Sequence, residues 1–106
     1  MEFVIYNPLD MHIHFRDGEM KDVVAPLTSQ TFSGALVMPN LVPPVKTLAE
    51  LKAYKQRIET VTSEHNFTPY MTVFFHKGLT REILEELKDS ITTIKLYPAG
   101  ITTNSE

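Results

Sequence analysis

Two histidines, His12 and His14, stand in the stretch Asp10-Met11-His12-Ile13-His14-Phe15-Arg16-Asp17-Gly18. Polar and apolar residues alternate there with a period of two, which is the signature of a strand. On a strand, Asp10, His12, His14 and Arg16 fall on one face and Leu9, Met11, Ile13 and Phe15 on the other. Residues two apart lie about 7 Å from each other along the backbone, so both imidazoles can reach one ion with nitrogens about 2 Å from it. The chain has no cysteine, so imidazole, carboxylate and lysine are the ligands on offer, and Zn²⁺ is the divalent cation that suits them best. The plainer reading is a hydrogen-bonded imidazole pair in a core. It leaves the carboxylate of Asp10 and the guanidinium of Arg16 as poor filling for the same face. Asp10 is spaced to hold an imidazole by its N–H from behind a metal.

Three further polar residues interrupt apolar surroundings. Lys95 lies inside the run Thr92 to Tyr97, where an ammonium is costly and must snorkel, find a carboxylate or lose its proton. Arg16 carries a planar fork suited to a bidentate grip on a carboxylate, or it balances charge. Asn40 follows Gly34 to Met38 and Pro39 and reads on its own as a loop cap. His65 and His76 fall outside these groups and read as surface or loop residues.

The elements that position these residues alternate in type. Residues 2–7 are a short apolar lead-in, a candidate extra strand, before a strand at 9–16. From Gly18 the pattern turns helical, with Met20, Val23, Val24 and Leu27 at spacings of three and four. Pro26 must kink, start or interrupt that helix. A continuous apolar run at 34–39 reads as a strand buried on both faces of a parallel sheet. Thr47 and Glu50 form a capping box for a helix that turns Leu48, Leu51, Tyr54, Ile58 and Val61 inward. A third strand covers 67–75, Thr80 caps a helix over 81–89 with Ile83, Leu84 and Leu87 inward, and a fourth strand covers 92–97.

This is a βα repeat in one uninterrupted unit, compatible with an open doubly wound sheet or a closed eight-stranded barrel. No G-x-G-x-x-G follows the first strand, which weighs against dinucleotide binding. The chemical residues gather at strand ends, where a (β/α)8 barrel builds its active site. A whole barrel takes about 250 residues, so on the barrel reading 106 residues are expected to make up about half of one, some four βα units. Such a half leaves its first and fourth strands as unpaired edges, which predicts aggregation or association with the missing half.

Composition sets outer limits. With 42% hydrophobic and 22% charged residues the chain has the make-up of an ordinary globular protein. A net charge of −3 with no basic block argues against a nucleic acid or an anionic membrane as partner. The start runs directly into Phe3-Val4-Ile5-Tyr6 without a basic region or a long apolar run, so neither a signal peptide nor a transmembrane span is expected. The lack of cysteine suits a reducing, cytoplasmic setting.

The stretch from Asp10 to Gly18 resembles the opening motif of the amidohydrolase superfamily, and within it that of the dihydroorotases of the single-function bacterial type. Val37-Met38-Pro39-Asn40 and Ile94-Lys95-Leu96-Tyr97-Pro98-Ala99-Gly100 extend the resemblance over essentially all 106 residues. It implies a zinc-dependent cyclic amide hydrolase with two Zn²⁺ per subunit, held in part by His12 and His14 and bridged by an N-carboxylated Lys95. It further implies that Arg16 and Asn40 bind a substrate carboxylate, and that Thr102 and Thr103 lie on a loop that closes over the substrate. The remaining histidine ligands and the general base, an aspartate, belong to later strands of such a barrel, so the 106 residues alone are expected to be inactive. A homodimer is expected by analogy. A hydantoinase-like enzyme and a non-catalytic homologue serving as an assembly subunit are the alternatives; Arg16-Asp17-Gly18 with Met38-Pro39-Asn40 favours dihydroorotase over the first, and the retained His12, His14 and Lys95 argue against the second.

Overall fold

The computed structural model describes residues 1–98. Its elements are β1 (Leu9–Ile13), α1 (Gly18–Ser29), β2 (Gly34–Val37), α2 (Leu48–Thr62), β3 (Thr68–Phe74), α3 (Arg81–Leu87) and β4 (Thr93–Lys95). The four strands form one parallel sheet in the order β1-β2-β3-β4, so β1 and β4 are its outer edges. That order follows from chain connectivity, because each helix returns the chain to lay the next strand beside the last.

One face of the sheet is covered by helices. Val37, Met71 and Val73 from the strands share a buried cluster with Ala25, Leu51, Tyr54, Ile58 and Leu87 from the three helices, closed by Phe15, Leu41 and Val45. Burying each large side chain of this set contributes about 1.5–3 kcal/mol relative to leaving it in water. α2 is the best anchored helix. Its capping box is complete, with the Glu50 amide donating to Thr47 Oγ1 (3.2 Å) and the Thr47 amide to Glu50 Oε2 (3.3 Å). Leu51, Tyr54 and Ile58 are buried, and Leu48 and Val61 pack beside them. Thr80 caps α3 by accepting from the Ile83 amide at 3.4 Å.

Several expectations from the sequence are corrected. Pro26 lies within α1, which continues through it to Ser29. The face of α1 that is buried carries Lys21, Ala25 and Ser29, with Val24 packed beside it, whereas Met20, Val23 and Leu27 are exposed. An apolar stripe on a helix marks a surface to be covered, and here the described sheet does not cover it. The lead-in at 2–7 adds no strand, and Phe3 to Tyr6 are exposed. The strands are shorter than 9–16, 34–39, 67–75 and 92–97: β1 gives way to a turn at Arg16, whose φ of 59° is far from extended, and β2 stops before Pro39, which has no N–H to donate.

β1 also departs from strict alternation. Its register with β2 shifts between Asp10 and Ile13: Leu9 pairs with Gly34 and Asp10 with Ala35, yet Ile13 pairs with Val37. A bulge of this kind moves residues on its two sides out of phase. Ile13 and Phe15 therefore join the helix-covered core, while Leu9 and Met11 line an apolar cleft with Leu36 and Tyr70 on the other face. Asp10 pairs with Ala35, so the single polar face spanning Asp10 to Arg16 does not form.

Gly34 sits where three strands crowd. A Cβ there would lie 2.8 Å from Tyr70 Cε2, 2.9 Å from the Thr68 carbonyl oxygen and 3.1 Å from Leu9 Cδ2. The backbone oxygen cannot move without breaking the sheet. Gly34→Ala is expected to destabilise the full-length protein by about 1–3 kcal/mol, read as a lower denaturant midpoint at unchanged slope; an unchanged midpoint would show that the strands part at little cost.

Candidate metal centre

The strands are parallel, so their C-terminal ends share one rim of the sheet. His12 and His14 reach that rim from β1, Asn40 follows β2, His76 follows β3, and Lys95 ends β4. The two imidazoles converge. His12 Nε2 and His14 Nε2 are 3.1 Å apart, with ring centroids 5.1 Å apart and planes inclined by 51°. Two nitrogens bound to one tetrahedral ion at about 2.0 Å are separated by about 3.3 Å. The pair is thus arranged as two ligands of one cation would be, and at this distance one ring can also donate to the other.

His14 is held neutral at physiological pH. Burial lowers its pKa to about 4, assisted by the charges of Lys95, Arg16 and His12 in that order. The neutral ring is the form that binds metal, so no proton need be displaced from it at pH 7. Among the described residues its Nδ1 is buried without a hydrogen-bond partner. Burial, followed by the nearby Arg16, also lowers the pKa of Lys95, whose Nζ donates to Asn40 Oδ1 at 2.7 Å and lies 5.4 Å from the centre of the Tyr97 ring. Lys95 therefore faces the rim rather than turning away into solvent.

Asn40 joins the two cations. It is buried, accepts from Lys95 through its side chain and from Arg16 Nη1 through its backbone carbonyl at 3.4 Å. Arg16, Asp17, Asn40, Leu41 and Val42 line a cleft of about 230 Å³. Its lining sets the Arg16 guanidinium, whose planar fork can grip a carboxylate, beside the Asp17 carboxylate and the apolar Leu41 and Val42.

Asp10 Oδ1 accepts from the backbone amide of His12 at 3.0 Å, and among the described residues no hydrogen bond links its carboxylate to an imidazole N–H. Among the described residues no three of His, Cys, Asp and Glu gather into a metal site. The donor set accordingly fits two imidazole ligands, with Lys95 able to join only once its ammonium has given up its proton. Thr102 and Thr103 lie outside the described residues. His65 is tied to the other end of the molecule, its Nδ1 2.6 Å from Oγ of Ser29, the last residue of α1. His76 Nδ1 accepts from the Gly78 amide at 3.1 Å.

Two contributors escaped the sequence reading. Tyr54 Oη donates to the carbonyl of Arg16 at 2.7 Å, and Arg57 grips Asp17 through Nε (3.1 Å) and Nη2 (2.9 Å). For the Tyr54 phenol, burial and the Asp17 charge push the pKa up, so it remains a donor. Burial raises the pKa of Asp17, but the bond from Arg57, the Gly18 amide and the charges of Arg57 and Lys21 outweigh it and hold the carboxyl below its ordinary value. The i, i+3 spacing of Tyr54 and Arg57 on α2 was visible in sequence; their target, about forty residues away, was not.

No family model matches the chain. Its sequence is 49% identical over 104 residues to a dihydroorotase of Rhizobium johnstonii and 48% identical over 107 residues to one of Erwinia tasmaniensis, covering 95% and 98% of this chain. The chain spans about 30% of the length of these curated relatives. Among solved structures it superposes on a dihydroorotase of Campylobacter jejuni with a TM-score of 0.89 at 53% identity, covering 92% of this chain and 29% of the other. A dihydroorotase of Saccharomyces cerevisiae in complex with 5-fluoroorotic acid gives 0.82 at 37% identity, with 92% of this chain and 27% of the other covered. The four parallel strands and their helices match the N-terminal half of a dihydroorotase barrel.

Proposed function

We propose that the chain is the N-terminal part of a zinc-dependent dihydroorotase, catalysing reversible hydrolysis of the ring amide of (S)-dihydroorotate to N-carbamoyl-L-aspartate. The observation that carries the reading is the approach of His12 Nε2 to His14 Nε2 at 3.1 Å on the rim that also bears Arg16, Asn40 and Lys95. The similarity to dihydroorotases over nearly the whole chain supports the choice of substrate.

In this reading His12 and His14 would hold one cation through Nε2, and Lys95, carboxylated on Nζ, would add an anionic ligand for Zn²⁺. Carboxylation joins the neutral amine to carbon dioxide and releases one proton, so a lowered lysine pKa favours it. When bound, the two cations supply a water that is acidic near neutral pH and Lewis acidity toward the carbonyl under attack. Arg16 grips the carboxylate common to dihydroorotate and carbamoyl aspartate, and Asn40 fixes the depth at which it sits. The general base and the remaining histidine ligands come from the rest of the barrel, whose strands would cover β1 and β4 and whose helices would cover Met20, Val23 and Leu27. The whole protein acts in the cytoplasm as a homodimer in pyrimidine biosynthesis, and residues 1–106 alone have no activity. No helix among the described residues is long and apolar enough to cross a membrane.

The test uses the full-length protein loaded with zinc. Dihydroorotate should be hydrolysed and carbamoyl aspartate cyclised, and a chelator should abolish both, with activity restored by Zn²⁺. Protein carrying two metals per subunit that turns over neither compound would refute the assignment.

A further inference from the structure

The turn that delivers Arg16 to the rim is held from behind by α2. Arg16 has a φ of 59°, in the left-handed region that a side chain with a Cβ avoids. Such a conformation persists only where the surroundings impose it. Tyr54, one of the most buried side chains in the molecule at 1% exposure, donates from its hydroxyl to the Arg16 carbonyl at 2.7 Å. One helical turn on, the Arg57 fork clamps the next residue, Asp17, at 3.1 and 2.9 Å, and its guanidinium lies 5.4 Å from the centre of the Tyr54 ring. Lys21 Nζ, itself buried, donates to the Arg57 carbonyl at 3.3 Å and ties α1 to the same turn of α2. Two consecutive residues, one through its carbonyl and the next through its carboxylate, are thus fixed by two residues of one helix, and the Arg16 guanidinium opens onto the cleft with Asn40.

We infer that Tyr54 and Arg57 are positioning residues for substrate binding: they hold the Arg16 backbone in its left-handed turn and so aim its guanidinium at the substrate carboxylate. Tyr54 is too deeply buried to touch the substrate and acts through Arg16. The inference rests on Arg16 being the carboxylate-binding group.

The test is a double-mutant cycle in the full-length, zinc-loaded protein with dihydroorotate as substrate. Tyr54→Phe keeps the ring in the core and removes only the hydroxyl. It should raise KM about tenfold, the order expected for one lost hydrogen bond, with kcat changed by less than about twofold and metal content unaltered. In the Arg16→Met background the same substitution should raise KM no further, since its effect passes through the missing guanidinium. An unchanged KM in Tyr54→Phe, or an equal rise in both backgrounds, overturns the inference, even if thermal stability falls. Should Tyr54→Phe fail to fold, Arg57→Lys at the part-exposed pair takes its place in the cycle with the same expected and overturning results. Crystal structures of wild type and variant give a second reading that does not depend on activity: Arg16 should leave its positive φ and its contact with the Asn40 carbonyl. A wild-type protein that turns over no dihydroorotate sinks the functional reading, while the Arg16 conformation still decides this one.

Discussion

Lys95→Ala in the full-length protein is expected to lower kcat by at least about 10³-fold and to reduce bound metal from two ions per subunit toward one. An ion of this kind contributes several kcal/mol to the transition state, and about 4 kcal/mol corresponds to about 10³ in rate. The physical basis is charge. Lys95 as an ammonium beside Arg16 opposes any cation on the rim, whereas as a carbamate it becomes an anion that two cations can share. Burial and the Arg16 charge already shift it toward the neutral amine that carboxylation needs. In native holoprotein the intact mass should exceed the sequence mass by one carbon dioxide, and the excess should vanish in Lys95→Ala. An unmodified amine in protein with both metals bound would contradict the role, as would an alanine variant that keeps full activity.

Arg16→Met should act on a different quantity. Removing one partner of a desolvated charge pair costs about 2–5 kcal/mol, so KM for dihydroorotate is expected to rise by about 10²–10³-fold while metal content stays at the wild-type value. Methionine keeps most of the volume, so the cleft beside Asn40 should not collapse. The contrast between the two variants separates carboxylate recognition from metal binding. Kinetics unchanged in Arg16→Met would remove the guanidinium from the site; loss of metal in that variant would place it in the metal shell instead.

Much of the arrangement was legible in one dimension because it depends on local rules. The spacing of Leu51, Tyr54 and Ile58 specified the buried side of α2, and the Thr47 and Glu50 box specified where that helix begins, since both depend on contacts within a few residues. The alternation around His12 and His14 gave a strand and a paired imidazole site. It failed at the ends of that strand, where a bulge sends Leu9 and Met11 to one face and Ile13 and Phe15 to the other. A bulge is set by pairing with β2, which no window on β1 contains. The spacing of Met20, Val23, Val24 and Leu27 specified a helix but not which way each residue faces: Val24 packs against the core, while Met20, Val23 and Leu27 stay outward within the described residues.

The sequence by itself determined the βα alternation, the helix caps and the residue types available for chemistry, because these follow from local hydrogen bonding and periodicity. Only the tertiary structure decided which of those residues meet. Asn40 stands between Arg16 and Lys95, and Tyr54 supports Arg16, through contacts spanning 24, 55 and 38 residues. Such contacts arise when parallel strands align their C-terminal ends and a helix packs behind them, so they belong to the packed layers rather than to any stretch of chain.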